Sequence, residues 1–325
     1  MVDNNIAEIA SEQEYTLILN QPTATGINAH KLFQTLNRKM RLPRPNDSVM
    51  KLFEVAKDKK ASIDEIAKVI AIDQPVQIKI LKTVNSSFYY QKEKVTSIAK
   101  ALQLLGISKV KRIALCMSMI SENTSGYCKN FDYHTYWSYS LARATIASKI
   151  KLKNTWFTSD ELFTVSLLSQ IGKLIFATAY PEKYSNILSK PRTKHSFFEE
   201  KSFGVTQNEI SFEMMKDIGL PDDFCYAILY QEMPLDKLEG NVLKLVEVLK
   251  WSRIITHLLH DTNCVKTKSG LDDIIKSSSH FGFTEDIFPD YFNNISCDWH
   301  EISEEFNLNV APKVLTWESI YNKAS

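Results

Sequence analysis

The order of apolar and polar residues predicts helices along most of the chain. After Ser62, the apolar residues Ile63, Ile66, Val69 and Ile70 recur with the spacing that puts them on one helical face. No segment shows the sustained apolar–polar alternation of a half-buried strand, so the pattern predicts an all-α fold. The other predicted helices cover residues 75–84, 97–105, 110–120, 136–150, 162–179, 210–216, 221–230 and 242–259.

Several predicted helix ends carry side chains that satisfy unpaired backbone groups. A capping box, Ser or Thr followed three residues later by Glu, occurs at Ser62, Thr158 and Thr206. Asp73 precedes Gln-Pro, which is typical of an N-cap with proline in the first turn. Gly106 follows a predicted helix and is interpreted as a left-handed C-cap.

Glycine content and charge exclude several kinds of binding protein. None of the nine glycines forms a G-x-G dinucleotide-binding turn or begins a G-x-x-x-x-G-K phosphate loop. The net charge is only +1, whereas proteins that bind nucleic acids usually carry a basic excess. The local basic cluster of Lys109, Lys111 and Arg112 is typical of a solvated helix face. We therefore expect no nucleic-acid partner.

Cysteine usage and the length of the apolar runs indicate the compartment. The five cysteines are odd in number and widely spaced, which favours free thiols in a reducing environment. The N-terminus lacks the basic and apolar regions of a secretory signal. The longest apolar run, residues 162–179, is interrupted by Ser166, Ser169, Gln170 and Lys173. We expect a cytoplasmic protein with no membrane span.

A series of short motifs carries a resemblance to a known family. They include Asp73-Gln-Pro75, Asn85-Ser86-Ser87 and Ile171-Gly172-Lys173, and the complete set lies in residues 42–43, 62–75, 80–89, 95–106, 136–142, 167–174, 180–184, 203–205 and 219–221. In order and spacing, over about residues 35–260, they resemble the HDOD domain, the HD-related output domain of bacterial signalling proteins.

The resemblance implies an all-helical protein built in two parts. The N-terminal part is expected to be a helical bundle, and the second part to be similar to the core of the HD phosphohydrolases. Residues 35–260 then form the HDOD domain, with a subdomain joint in the polar stretch 122–131. Residues 1–34 are an N-terminal helical extension, and residues 261–325 a C-terminal helical extension packed on the domain.

The same resemblance implies that the metal site of the HD enzymes is degenerate. Those enzymes hold one or two divalent metal ions with a His…His-Asp…Asp set, and the bound metal lowers the pKa of the attacking water. The first histidine corresponds to Tyr139, the His-Asp pair to Ser169 and Gln170, and the last aspartate to Ser252. Neutral hydroxyl and amide groups are poor ligands for such ions. We expect no metal, no cofactor and no catalytic residue.

Four further positions complete the predicted pocket. Later histidines of related HD enzymes correspond to Gln207 and to Tyr230-Gln231. Lys173 follows the degenerate His-Asp pair; it either contacts an anion in the pocket or extends its amine into solvent.

These substitutions favour a non-catalytic signal-transduction module over an enzyme. Such a module acts through signalling protein partners in trans or through a small ligand in the degenerate pocket. The alternative is a divergent metal-dependent phosphohydrolase of the HD superfamily that uses other residues.

One other group has loosely metal-like spacing. His257 and His260 lie near the end of a predicted helix, and Cys264 follows. They offer few zinc ligands, so we interpret the histidines as charges that complement the C-terminal helix dipole.

Overall fold

The structure, a computed structural model, describes residues 25–58, 60–85, 94–152, 157–261, 265, 267–308 and 314–324. Within these ranges the chain is helical and contains no strand, as predicted. The helices are α1 (Thr25–Lys39), α2 (Asp47–Val55), α3 (Ile63–Ile70), α4 (Gln74–Val84), α5 (Ile98–Leu105), α6 (Ile107–Ile120), α7 (Tyr133–Lys149), α8 (Ser159–Leu168), α9 (Ile171–Ala179), α10 (Pro181–Leu188), α11 (His195–Phe203), α12 (Gln207–Asp217), α13 (Asp222–Leu229), α14 (Gly240–His260), α15 (Lys268–Ser278), α16 (Phe288–Glu305) and α17 (Trp317–Tyr321).

The chain divides into two compact units. The smaller unit is Pro43–Ser125 and contains α2 to α6. The larger unit takes the residues up to Leu42 and those from Gly126 onward. The division between Ser125 and Gly126 falls within the polar stretch 122–131, whereas the predicted boundary between residues 34 and 35 falls inside α1.

The smaller unit is a helical bundle in which one carboxylate orders two helix starts. The Asp73 side chain caps α4 by accepting a hydrogen bond from the Val76 amide at 3.0 Å. It also accepts hydrogen bonds from Asn46 and Ser48 at the start of α2, each at 2.7 Å. The predicted N-cap at Asp73 is thus confirmed. Buried apolar residues of the bundle include Val49, Leu52, Ile66, Ile70, Ile80, Val84, Ala101, Val110, Ile113 and Met119.

The larger unit is organised around α7, which is buried along most of its length. Helices α8, α14 and α16 pack on it. From α16, the Trp299 indole donates to the Ser138 carbonyl at 3.1 Å, and the Tyr291 hydroxyl donates to the Ile146 carbonyl at 3.2 Å. Because these donors are buried, the two bonds fix α16 against the helix at the centre of the core.

The N-terminal helix α1 packs on α12 of the same unit. Its buried face carries Ala29, Phe33 and Leu36. At its edge, His30 Nδ1 lies 2.8 Å from Glu213 Oε2. An apolar face and one polar contact therefore attach α1 to the domain.

The long apolar run predicted as a single helix is two helices, α8 and α9. The chain turns at Ser169 and Gln170, where Gln170 has φ −122° and ψ 26°. By length and composition alone, Ser159–Ala179 is long and apolar enough to cross a membrane, but 78 % of its apolar window is buried inside the protein. The run supplies core to the larger unit.

The predicted capping features are confirmed except at Gly106. All three capping boxes form, with the Ser62, Thr158 and Thr206 side chains each accepting from the amide three residues on. Gly106 has φ +79° but ψ 155°, so the left-handed C-cap predicted there is wrong. The extended ψ lets the chain enter α6 directly after α5, and the positive φ explains why glycine stands at this junction.

Candidate functional site

Four residues are joined by amide hydrogen bonds at the turn between α8 and α9. The buried Gln231 donates from Nε2 to the Ser169 carbonyl at 2.9 Å and to Asn208 Oδ1 at 2.9 Å; the Ile228 carbonyl lies 3.0 Å from the same nitrogen. Gln207 Nε2 also donates to Asn208 Oδ1. Ser169, Gln207, Gln231 and Asn208 therefore form one network, hereafter the amide network. Three of these four positions were predicted from the sequence.

Glycine at position 172 allows α9 to approach α12. A Cβ at this position would collide with the backbone carbonyl of Gln207, so no larger residue fits without moving one of the helices. The Gly172 amide donates to Ser211 Oγ at 2.8 Å, and that hydroxyl donates to the Gln207 carbonyl at 2.8 Å. The Ile-Gly-Lys motif thus preserves helix packing beside the predicted pocket.

Gln170 and Lys173 extend the site toward α7. Lys173 Nζ donates to Gln170 Oε1 at 2.8 Å, and the Tyr136 hydroxyl donates to the Gln170 carbonyl at 3.3 Å. Burial, together with the nearby charge of Arg143, lowers the pKa of Lys173 to about 8. The amine binds a neutral amide oxygen of the site.

The side chains of the three remaining predicted residues have described contacts outside the amide network. The Tyr139 ring stacks on His260 with centroids 3.7 Å apart. Ser252 Oγ donates to the Leu249 carbonyl of its own helix at 3.1 Å. The Tyr230 ring lies parallel to Tyr226 with centroids 5.9 Å apart.

A buried cation that was not predicted lies on α7. Arg143 is 5 % exposed, and its hydrogen bonds go to the Tyr139 carbonyl at 3.4 Å and to Ser140 Oγ at 3.3 Å. Burial lowers the pKa of its guanidinium to about 10, so it remains charged near neutral pH. The sequence signal that could have identified it is an arginine within the mostly apolar run Leu-Ala-Arg-Ala-Thr.

Two carboxylates border the site, and both are engaged by other protein groups. Glu199 is 1 % exposed; it accepts hydrogen bonds from the Gln207 amide at 2.9 Å and the Tyr184 hydroxyl at 3.2 Å. Burial raises the pKa of Glu199. The hydrogen bond from the Gln207 backbone N–H and the charge of Lys173 partly offset this rise. The two carboxylate oxygens of Glu232 accept hydrogen bonds from Arg253 Nη1 at 2.6 and 2.8 Å. The Glu199 carboxylate thus stabilises the start of helix α12, and the Glu232 carboxylate pairs with Arg253.

The charge interpretation of His257 and His260 is wrong near neutral pH. Burial is the largest cause that lowers the pKa of each imidazole to about 4, so both are neutral at pH 7. His260 Nδ1 lies 2.9 Å from the Thr256 carbonyl and Nε2 lies 3.0 Å from Ser138 Oγ, so both ring nitrogens of this half-buried residue have protein partners. Cys264 lies outside the described residues.

Neither a metal-ligand cluster nor the surface depression of the smaller unit coincides with these residues. Among the described residues, no group of three or more His, Cys, Asp or Glu side chains could hold a metal ion. An open depression of about 560 Å³ occurs in the smaller unit, and no predicted site residue lines it. Its lining residues are Val55, Asp58, Lys60, Ala61, Glu65, Lys68 and Val69.

The family model of the HDOD domain matches residues 42–234. The chain belongs to the HDOD domain family. The match is narrower than the predicted range 35–260 and includes the turn between α8 and α9. No curated protein gives a significant match to this HDOD protein.

Solved structures share the fold of this HDOD protein at low sequence identity. An HDOD domain protein with unknown function from Geobacter sulfurreducens aligns with TM-score 0.65 and 18 % identity, over 87 % of this chain and 97 % of that one. A protein from Shewanella amazonensis SB2B, provisionally named a phosphohydrolase, aligns with TM-score 0.63 and 17 % identity over 88 % and 97 %. A provisionally named signal transduction protein from Marinobacter aquaeolei VT8 aligns with TM-score 0.62 and 15 % identity, over 88 % of this chain and 67 % of that one.

Proposed function

We propose that this HDOD protein is a non-catalytic signal-transduction module, in which the position of the HD metal site serves binding instead of hydrolysis. The amide network is the observation that carries this proposal. Ser169, Gln207 and Gln231 stand at positions of the HD ligand set, and hydrogen bonds through Asn208 hold them together. Neutral groups can maintain this corner of the fold without an ion.

The module acts on another molecule in trans. Signalling protein partners, or a small ligand held in the degenerate pocket, receive or deliver the signal in the bacterial cytoplasm. The near-zero net charge supports a partner other than a nucleic acid.

A divergent metal-dependent phosphohydrolase is the alternative, and the name of the Shewanella relative is what favours it. Metal-assisted hydrolysis needs charged oxygen ligands with an open coordination position. The two carboxylates beside the site, Glu199 and Glu232, already bind protein donors, so neither is poised to take a metal.

The test is turnover by the purified full chain. It is assayed with bis(p-nitrophenyl) phosphate and with p-nitrophenyl phosphate, each in the presence of Mg²⁺, Mn²⁺ or Fe²⁺. We expect hydrolysis no faster than in buffer containing the metal alone. Turnover that Glu232→Gln abolishes and Lys51→Gln, an exposed substitution on α2 of the smaller unit, leaves intact would contradict the proposal and support the alternative.

A further inference from the structure

A buried guanidinium has no carboxylate partner. Arg143 is 5 % exposed, and both of its hydrogen bonds, to the Tyr139 carbonyl and to Ser140 Oγ, stay on its own helix. Among the described residues, no carboxylate lies within 4.0 Å of it. An unpaired buried charge is costly for a fold, so a charged group kept in this state is a candidate for a ligand that the protein does not itself supply.

Hydrogen bonds connect this guanidinium to a second cation. Ser140 Oγ, which receives Arg143, donates to the Tyr136 carbonyl at 2.9 Å. The Tyr136 hydroxyl donates to the Gln170 carbonyl at 3.3 Å, and Gln170 Oε1 accepts a hydrogen bond from Lys173 Nζ at 2.8 Å. Lys173, like Arg143, has only neutral hydrogen-bond partners. The two cations therefore line the same corner between α7 and α9.

Two further arginines act on this corner through their charge. Arg192, exposed on the 3-10 turn before α11, lowers the pKa of both Arg143 and Lys173, and Arg253 lowers that of Arg143. These four cations are hereafter the cationic cluster. The carboxylates whose charges act on Arg143 and Lys173 are Glu199 and Glu232. Four positive charges against two negative ones leave an excess of two.

We propose that the cationic cluster binds the phosphoryl group of a small molecule, either a phosphate monoester or free phosphate. A phosphoryl group at neutral pH carries about −1.5 to −2 charges, which matches the local excess. The planar guanidinium of Arg143 supplies paired donors that suit phosphate oxygens. Arg192 offers a charge at the surface, through which the anion is attracted. The inference deepens the proposed function by naming its ligand, and it rests on the site being used for binding.

Calorimetric titration of the full chain tests the proposal. The probes are inorganic phosphate and adenosine 5′-monophosphate, in buffer containing EDTA, so that binding is measured apart from any metal-dependent turnover. We expect saturable binding at one site per chain. A tighter response to the nucleotide identifies a monoester as the ligand, and a tighter response to inorganic phosphate identifies the free ion.

Matched variants locate the binding. Arg143→Gln and Lys173→Gln are expected to weaken binding at least about tenfold. Lys149→Gln removes one charge from the same helix α7, at an exposed position paired with Asp298, and is expected to change affinity less than about twofold. Arg143→Gln is also expected to raise the melting temperature of the ligand-free protein, because it removes an unpaired buried charge. A purely structural arginine would give the opposite shift.

Three results would overturn the proposal. They are an absence of saturable binding of either probe up to about 10 mM, binding that both Arg143→Gln and Lys173→Gln leave unchanged, and equal weakening by Lys149→Gln. Turnover in the metal assay with normal phosphate binding would contradict the proposed function alone. Absent binding without turnover would contradict this inference alone.

Discussion

The side-chain amide of Gln231 donates a hydrogen bond to the carbonyl oxygen of Ser169, 2.9 Å away. In the HDOD resemblance, both residues stand at positions that carry metal ligands in HD enzymes. The bond ties the end of α8 to the segment that follows α13. Under the proposed function, this amide makes a connection that a shared ion makes in the enzymes.

Replacement of Gln231 by methionine should destabilise the protein. Gln231→Met keeps the volume but leaves the Ser169 carbonyl and Asn208 Oδ1 without this donor in a buried site. We expect a loss of about 2 kcal/mol in the free energy of unfolding, measured by urea denaturation. Gln103→Met, at an exposed position of α5, is the control and should change it by less than about 0.5 kcal/mol. Equal stabilities would contradict the role of the amide network.

A methyl group at Gly172 should disrupt the contact between α9 and α12. The added Cβ of Gly172→Ala would collide with the Gln207 carbonyl, a backbone atom that cannot rotate away. We expect a loss of more than about 2 kcal/mol in the free energy of unfolding. Gly270→Ala in α15 is the control, because its Cβ meets the Val265 and Thr267 side chains, which can move. If both variants were equally stable, the close approach at Gly172 would not constrain the fold.

The neutral His260 should make the protein sensitive to acid. Its pKa is about 4 when folded against 6.5 as the ordinary value, with burial as the main cause. Between these values the unfolded chain binds a proton that the folded chain does not, so stability falls as the pH drops from 6.5 to 4. His260→Phe keeps a ring beside Tyr139 and should flatten the dependence by at most about 1.4 kcal/mol per pH unit. Unchanged slopes in urea titrations at pH 6, 5 and 4.5 would contradict this assignment.

Helix α1 should detach when its apolar anchor is removed. Phe33 is buried on the face that packs on α12, and its truncation to alanine typically costs about 3–5 kcal/mol. We expect Phe33→Ala to raise amide hydrogen exchange across Thr25–Lys39, while the exposed control Thr35→Ala leaves exchange near the wild-type rate. Unaltered protection in Phe33→Ala would show that other contacts hold the helix.

Local features of the fold were predictable from the sequence. The capping boxes at Ser62, Thr158 and Thr206 formed because each involves residues three positions apart. The turn at Ser169-Gln170 was not predicted, since these two polar residues were interpreted as interruptions within a single helix. That turn depends on contacts from residues far along the chain, including Gln231.

The sequence analysis named most residues of the candidate site but did not name the buried Arg143. The family motif identified Ser169, Gln170, Lys173, Gln207 and Gln231, which the structure brings to one corner. Arg143 was missed because its significance lies in its burial and in having no carboxylate within 4.0 Å among the described residues, neither of which local sequence reveals. Tyr139 and Ser252 were expected in the pocket, but a stacked ring and a bond within a helix account for their described contacts.

The most direct test of the central claim is the metal content of the full chain, purified without chelators and incubated with Mn²⁺, Fe²⁺ or Zn²⁺ before gel filtration. Elemental analysis should find far less than one ion per chain, because the HD ligand positions carry hydroxyl and amide groups and the nearby carboxylates bind protein donors. One or more ions per chain, lost in Glu199→Gln or Glu232→Gln while the fold is intact, would contradict the account of a site that has exchanged metal chemistry for binding.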